Sequence, residues 1–339
     1  MSHDTQHSSA PTLEEVAVVA GVSRSTVSRV INASPRVTPE AIAAVERAIA
    51  ELGYVPNRAA RILASRRTFA IALVIPENTA KFFADPYFAS VIQGVALALS
   101  STAYTLSLLI APESDAEKTR NFLQAGNVDG ALILSHHSDD RSYLALSRSL
   151  PVVFGGRPMS DEGDRAYYVD VDNVAAAEHA VRHLIEHGRR RIATIAGPAD
   201  MAAGLDRVEG WRRALQAAGL QADLVERADF TPAGGADAMR RMLERGIPFD
   251  ALFAASSQMA SGALTVLRDH GLEVPRDVAI TSIDNDYFAQ NSTPRLTAID
   301  QPSVDVGRAM ARLLIDRIEG REIAHVTILP TTLAEGDSV

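Results

Sequence analysis

Residues able to grip a polyhydroxylated ligand stand just after short apolar runs in this chain. Ile71–Ile75 is followed by Pro76-Glu77-Asn78 and then by Lys81-Phe82-Phe83-Ala84-Asp85-Pro86-Tyr87-Phe88. Val152–Phe154 leads into Gly155-Gly156-Arg157-Pro158, and Asp206-Arg207 opens a helical stretch beyond the 192–196 run. Phe230 trails a short strand-like stretch, and Asp284-Asn285-Asp286 follows the 278–283 run. Rings flanked by carboxylates, amides and a guanidinium suit a sugar. Its C–H face stacks on a ring while its hydroxyls form paired hydrogen bonds with Asp, Asn and Arg. Candidates for such contacts are Asn78, Phe83, Asp85, Arg157, Arg207, Phe230 and Asp284. So many aromatics suit a disaccharide or longer ligand better than a monosaccharide or a purine.

A second set of side chains could read a DNA duplex. Arg24, Ser25 and Arg29 share the polar face of one short helical segment; arginine takes guanine O6 and N7 bidentately, and serine is permissive. The stretch from Pro56 through Asn57 and Arg58 to Arg66-Arg67 is basic and holds no acid.

Other chemistries lack their parts. His179, His183 and His187 recur at helical spacing, but no glutamate forms an H-E-x-x-H arrangement and no third ligand is near, so no metal is expected. His136-His137 reads as a solvated loop pair. No nucleophile elbow, Walker loop or dinucleotide fingerprint occurs, and no cofactor is expected. A sugar-acting enzyme would need two carboxylates about 5–10 Å apart. Asp85 and Asp284 could be cited, but nothing in the sequence fixes their separation.

The elements that carry these residues follow from local signals. Thr12 caps a first helix, with Glu15 completing a capping box; Gly21-Val22-Ser23 is a tight turn before a second helix over 24–31. Thr38-Pro39 starts a third helix and Gly53 ends it. Val16, Ala17, Ala20, Val27, Val30, Ile31, Ile42, Val45, Ile49 and Leu52 recur at helical spacing and make a small core. A helix-turn-helix with a basic trailing segment suggests major-groove reading with a minor-groove accessory. From residue 69, apolar runs alternate with helical stretches at 71–75, 105–110, 131–135, 152–155, 167–171, 192–196, 251–255, 278–283 and 326–329. That pattern predicts two doubly wound parallel sheets meeting near residues 160–170, with a ligand cleft beyond the strands' carboxyl ends.

Composition fits this division. The 339 residues contain no cysteine, so disulfides and thiolate metal sites are excluded. Eight arginines against six carboxylates give residues 1–68 a charge of +2, while the rest carries −11 of the net −9. Only the basic end is drawn to phosphate. No apolar run reaches membrane-spanning length, and residues 1–10 are polar, read as disordered rather than as a secretory signal. The expected location is the cytoplasm, at the nucleoid.

Leu13-x-x-Val16-Ala17-x-x-Ala20-Gly21-Val22-Ser23-x-x-Thr26-Val27-Ser28-Arg29-Val30-x-Asn32 and Leu52-Gly53-Tyr54-Val55-Pro56-Asn57-x-x-Ala60-x-x-Leu63 closely resemble the DNA-binding end of the lac repressor family of bacterial transcription regulators. The resemblance continues more diffusely along the chain. It implies a helix-turn-helix head over 11–55, a hinge over 56–68, and a bilobed domain similar to periplasmic sugar-binding proteins. The implied first lobe comprises 69–168 and 301–327, and the second 169–300 and 328–339. It makes Arg24 and Ser25 the main specificity pair and Arg29 a further base contact, with Ser23, Thr26, Ser28, Asn32 and Tyr54 on phosphates. Asn57 would cap a hinge helix, Arg58 would lie in its basic stretch, and Leu63 would wedge between base pairs of a near-palindromic operator bound by a homodimer. In the cleft, Arg207 of the Arg207-x-x-Gly210-Trp211 motif would hold sugar hydroxyls, with Asp284, Phe230 and Ser256 at further family positions. The Ser256-Ser257 pair lacks the acid usual there. The segment 82–88 with Gly155-Gly156-Arg157-Pro158 is similar to the branch answering to cello-oligosaccharides or related β-glucosides. Another sugar or a nucleobase co-repressor is the alternative within the family.

Overall fold

The computed structural model describes residues 11–31, 36–54, 67–111, 116–137, 142–159 and 166–339. Two compact units result, residues 1–68 and 69–339. The expected disordered start and nearly all of the expected hinge lie outside the described residues.

The smaller unit holds α1 (Leu13–Ala20), α2 (Arg24–Ile31) and α3 (Pro39–Leu52). Thr12 and Glu15 form the reciprocal capping box: the Glu15 carboxylate accepts from Thr12 N at 2.7 Å and Glu15 N donates to Thr12 Oγ1 at 3.3 Å. Gly21 and Gly53 end α1 and α3 in the left-handed region, φ 65° and 61°, where a Cβ would be strained. Val16, Ala17, Val27, Val45, Ala48 and Tyr54 form the buried core, and Ala20, Val30, Ile31, Ile49 and Leu52 pack partly against it.

The larger unit contains two six-stranded sheets. The first runs β11-β5-β4-β3-β1-β2, where β1 is Ala70–Ile75, β2 Thr105–Ile110, β3 Gly130–Leu134, β4 Val152–Gly155, β5 Tyr167–Val171 and β11 Val326–Leu329. The second runs β12-β10-β9-β8-β6-β7, where β6 is Ile192–Ala196, β7 Val225–Arg227, β8 Ala251–Ala254, β9 Ala279–Ile283, β10 Thr297–Asp300 and β12 Thr332–Ala334. All pairings are parallel except β10 with β12. Helices cover both faces, which is why β1, β3, β4, β6, β8 and β9 are buried end to end and predominantly apolar, with Thr194, Thr281 and Ser282 the buried polar exceptions.

Glycines let the covering helices approach closely. A Cβ on Gly94 would lie 1.9 Å from Val304 O, and one on Gly307 2.0 Å from Val91 O, so the 86–99 and 303–318 helices touch backbone to backbone over the first sheet. Gly235 and Gly262 serve the second sheet likewise, with Cβ positions 2.3 and 1.9 Å from Met259 O and Pro232 O.

The chain crosses between sheets after Val171, after Asp300 and after Leu329. The expected lobe boundaries at 168 and 327 therefore fall too early, because they cut β5 and β11 in two. Those strands pair with each other in parallel, Tyr168 opposite Val326 and Val171 opposite Leu329, and must share a sheet. Two strands absent from the sequence reading, β10 and β12, and β7, read there only as the strand-like stretch before Phe230, are short and each has a charged or polar residue at one end or within it.

Candidate ligand cleft and nucleic-acid interface

A cavity with about 820 Å³ of empty space, part of it open to solvent, lies between the two sheets of the larger unit. Its lining comes from the segments that follow the carboxyl ends of parallel strands. Lys81, Asp85, Tyr87 and Phe88 follow β1; Ser135 and His136 follow β3; Gly156 and Arg157 follow β4; Asp170 and Asn173 stand at the end of β5. From the second sheet come Met201 and Arg207 after β6, Phe230 after β7, Ser256 and Gln258 after β8, Asp284 after β9 and Gln301 after β10. This is where open α/β sheets present their loops to ligands.

Arg207 is the centre of the arrangement. It is only 6% exposed; its Nε donates to Asn173 Oδ1 at 2.9 Å and its Nη1 to Ala255 O at 2.6 Å. The guanidinium also lies 5.7 Å from the Phe230 ring centroid. Asn173 is itself oriented by Asp170, which accepts from Asn173 Nδ2 at 3.0 Å and from the backbone of Arg157 and Val171 at 2.8 Å each. Phe230 and Asp284 both adopt left-handed backbone, φ 65° and 76°, a conformation aspartate tolerates but one that is costly for the bulky Phe230. Gln301 Nε2 donates to Asp284 Oδ1 at 2.5 Å, and Asp284 N donates to Ile299 O at 2.9 Å, fixing that turn.

The carboxyl groups are perturbed. Burial pushes Asp284 up to about 7, against the pull of Arg207, with Asp286 and Asp85 adding to the rise. Burial likewise lifts Asp85 to about 6, opposed by its hydrogen bond from Tyr87 N and helped by the charge of Asp286. Asp170 and Asp286 are raised as well, chiefly by burial. Near neutral pH the cleft therefore offers both carboxyl donors and carboxylate acceptors to ligand hydroxyls.

Two contacts bridge the lobes at the rim. Arg157 Nη2 meets both oxygens of Asp206, at 2.7 and 2.8 Å. His137 Nδ1 lies 2.7 Å from Asp200 Oδ2 while its Nε2 lies 3.4 Å from Glu77 Oε1, which also receives Lys81 Nζ and Ser135 Oγ at 2.7 Å each. The hydrogen bond to Glu77 lifts His137 to about 9 against burial, with Asp200 assisting. Burial works against ionised Glu77, but bonds from His137, Lys81 and Ser135 with the Lys81 charge hold it down to about 2.

Six of the eight expected ligand residues line this one cavity: Asp85, Arg157, Arg207, Phe230, Ser256 and Asp284. Asn78 and Phe83 do not. Asn78 caps the 79–84 helix, accepting from Lys81 N at 2.9 Å, and Phe83 lies 78% exposed on that helix while Phe82 takes the buried phase. Ser256 is buried and its hydroxyl caps the 257–269 helix. Trp211 is core, donating to Ile192 O at 3.2 Å. The reading of His136-His137 as a solvated pair is corrected: His136 lines the cavity beside Phe154, and His137 bridges the lobes. Sequence reasoning missed Asp170, Asn173, Gln258 and Gln301; the first two stand at a strand end, the place where the other candidates were sought.

On the smaller unit, α2 buries Val27 and leaves Ser23, Arg24, Ser25 and Arg29 exposed, with Thr26 and Ser28 half-buried. Ser23 caps the helix, accepting from Thr26 N at 3.2 Å, and its hydroxyl lies 2.8 and 2.9 Å from those of Ser25 and Thr26. Arg24 Nε pairs with Glu14 Oε1 at 3.1 Å. Tyr54, expected on a phosphate, has its ring in the core and is 7% exposed. Asn32, Asn57, Arg58 and Leu63 lie outside the described residues.

Residues 12–57 match the lacI family of bacterial regulatory proteins, and residues 181–339 match the periplasmic binding protein-like domain. The chain is 47% identical over 326 residues to the HTH-type transcriptional regulator CelR of Thermobifida fusca, covering 95% of this chain and 96% of that one. The chain belongs to the LacI family. LacI-family structures have the same architecture. A CelR–cellobiose complex aligns with a TM-score of 0.78 at 45% identity, over 97% of this chain and 100% of that one. The lac repressor dimer bound to operator and an anti-inducer aligns at 0.83 and 25% identity, over 97% and 99%. As a LacI-family member the chain is a DNA-binding transcriptional regulator and not an enzyme. Among the described residues no helix is long and apolar enough to cross a membrane.

Proposed function

We propose that this regulator is a sugar-responsive repressor of carbohydrate-utilisation genes. It acts in the cytoplasm, at the nucleoid, as a homodimer on a near-palindromic operator. A cello-oligosaccharide entering the cleft releases the DNA. The observation that carries the reading is the convergence of Arg207, Phe230, Asp284, Asp85 and Asp170 on one cavity between the lobes. A sugar ring can lie on Phe230 while Arg207 and the carboxyls bracket adjacent hydroxyls. The described relative whose complex holds cellobiose points to the same ligand class.

Arg24 and Ser25 read bases, Arg29 adds a further base contact, and Ser23, Thr26, Ser28 and Asn32 hold the backbone. Asn57 and Arg58 belong to the hinge, with Leu63 as the wedge that kinks the site. Effector contacts come from Asp85, Arg157, Arg207, Phe230, Ser256 and Asp284.

The test is operator binding by fluorescence anisotropy at fixed salt, titrated with glucose, cellobiose, longer β-1,4-glucosides, ribose and a purine. Release by β-glucosides alone is the expected result. Release by the purine or ribose instead, or by none of them, overturns the ligand reading.

A further inference from the structure

Every cation on the cleft lining is held by a protein acceptor, whereas three of the lining carboxyl groups accept only from neutral donors among the described residues: Asp85 from Tyr87 N, Asp170 from Asn173 and two backbone amides, and Asp284 from Gln301. Lys81 is held by Glu77 at 2.7 Å and Arg157 by both oxygens of Asp206. Arg207 is anchored on Asn173 and Ala255 O, and its Nη2 takes no protein acceptor among the described residues. That buried guanidinium therefore keeps donor capacity on the cavity lining. It faces Asp170 and Asp284, and no ion pair joins a cation to Asp85, Asp170 or Asp284 among the described residues.

We propose that the cleft selects its ligand by charge: it takes neutral oligosaccharides and rejects their anionic relatives, those bearing a uronate, an aldonate or a phosphate. This rests on the reading of the cavity as an oligosaccharide site. An anion brought beside Arg207 would approach three acids with one cation to offset them, in a site where burial strengthens every charge–charge interaction. A neutral sugar meets no such repulsion, and its hydroxyls can donate to the carboxylates and accept from Arg207.

The rejection should depend on pH. Asp284, facing Arg207, Asp286, Asp85, Gln301 and Tyr87, is raised to about 7. Asp85, facing Lys81, Asp286, Gln258 and the Tyr87 amide, is raised to about 6. Both gain negative charge as pH rises through that range, so discrimination grows from acid to alkali.

The test uses three β-1,4-linked glucose disaccharides of nearly one shape in calorimetric titrations of the full chain: cellobiose, its C6 uronate and the primary amide of that uronate. At about pH 8 the amide should bind at least about tenfold more tightly than the uronate, and the gap should narrow severalfold at about pH 5.5. Asp85→Asn should narrow it at pH 8; asparagine retains the capping oxygen for the 86–99 helix, so the variant keeps the fold. Equal affinity for uronate and amide at pH 8 overturns the charge inference and leaves the oligosaccharide reading standing. Binding of none of the three overturns that reading, and this inference with it.

Discussion

At the residue scale, Arg207 depends on a planar fork. Its Nε and Nη1 reach two acceptors from different elements, Asn173 and Ala255 O, leaving Nη2 for the ligand. A lysine has one nitrogen and cannot serve all three. Arg207→Lys should weaken sugar binding by at least about tenfold in a calorimetric titration, with operator affinity in the absence of sugar changed less than about twofold. An unchanged sugar affinity would remove Arg207 from the site. Gly197→Ala tests the aromatic platform: the new Cβ would lie 2.2 Å from Phe230 Cζ and push the ring aside. Sugar affinity should fall roughly two- to tenfold, the range of one lost stacking contact. Arg207, Phe230 and Asp284 were legible because they are chemically distinctive and follow strand-like runs. Asn78 and Phe83 met the same criteria and were misplaced. A short polar side chain before a helix is more useful as a cap, and the phase of a six-residue helix decides which of two adjacent phenylalanines is buried. Asp170 escaped notice since its role, orienting Asn173 for Arg207, exists only once β5 and the next helix meet.

At the scale of elements, the parallel strands were legible as continuous apolar runs because helices bury both their faces. β7, β10 and β12 lacked that mark. Val225-Glu226-Arg227 is an edge strand two-thirds charged, and its place is set by pairing with β6 rather than by its own preferences. The segments after the strands also carry the contacts that hold one lobe on the other. His137 is lifted to about 9 by its carboxylate partners, so its contribution is complete below its ordinary value near 6.5 and is lost as pH rises through 9. Glu77, depressed to about 2, contributes above its ordinary range and loses that only in strong acid. The thermal midpoint of the wild type should therefore decline between about pH 6.5 and 9, by on the order of 2–4 °C. In His137→Gln the same scan should be flatter. Parallel curves for the two proteins would show that the His137–Asp200 contact adds nothing to stability.

For the whole molecule, the basic head and acidic body predict different responses to salt for the two ligands. Operator affinity should fall steeply with added salt because release of counterions from the phosphates becomes less favourable, while affinity for a neutral sugar stays nearly flat. Coupling between the two ligands is reciprocal by thermodynamic necessity. If saturating cellobiose weakens operator binding by some factor, saturating operator must weaken cellobiose binding by that same factor. Titrating sugar into free and operator-bound protein measures this, and no effect of operator would contradict a sugar-released repressor. Domain order and the bilobed class were readable from composition and periodicity. The crossing points were not fixed to the residue, since Tyr167–Val171 and Val326–Leu329 look alike as strands whichever sheet they join, and their mutual register alone assigns them.

The two sheets share one more property through β11 and β12. Each sheet receives an edge strand from residues 326–334, near the end of the chain, whereas the core of the head is complete by Tyr54. At a synthesis rate of about 5–20 residues per second, the ribosome displays a finished DNA-reading head for on the order of tens of seconds before either sheet has its full set of strands. A polypeptide that stopped before Val326 would thus carry an intact reading head while both sheets lacked an edge strand. Such a product would keep the helix-turn-helix unit without a completed ligand cleft, and so would be deaf to sugar.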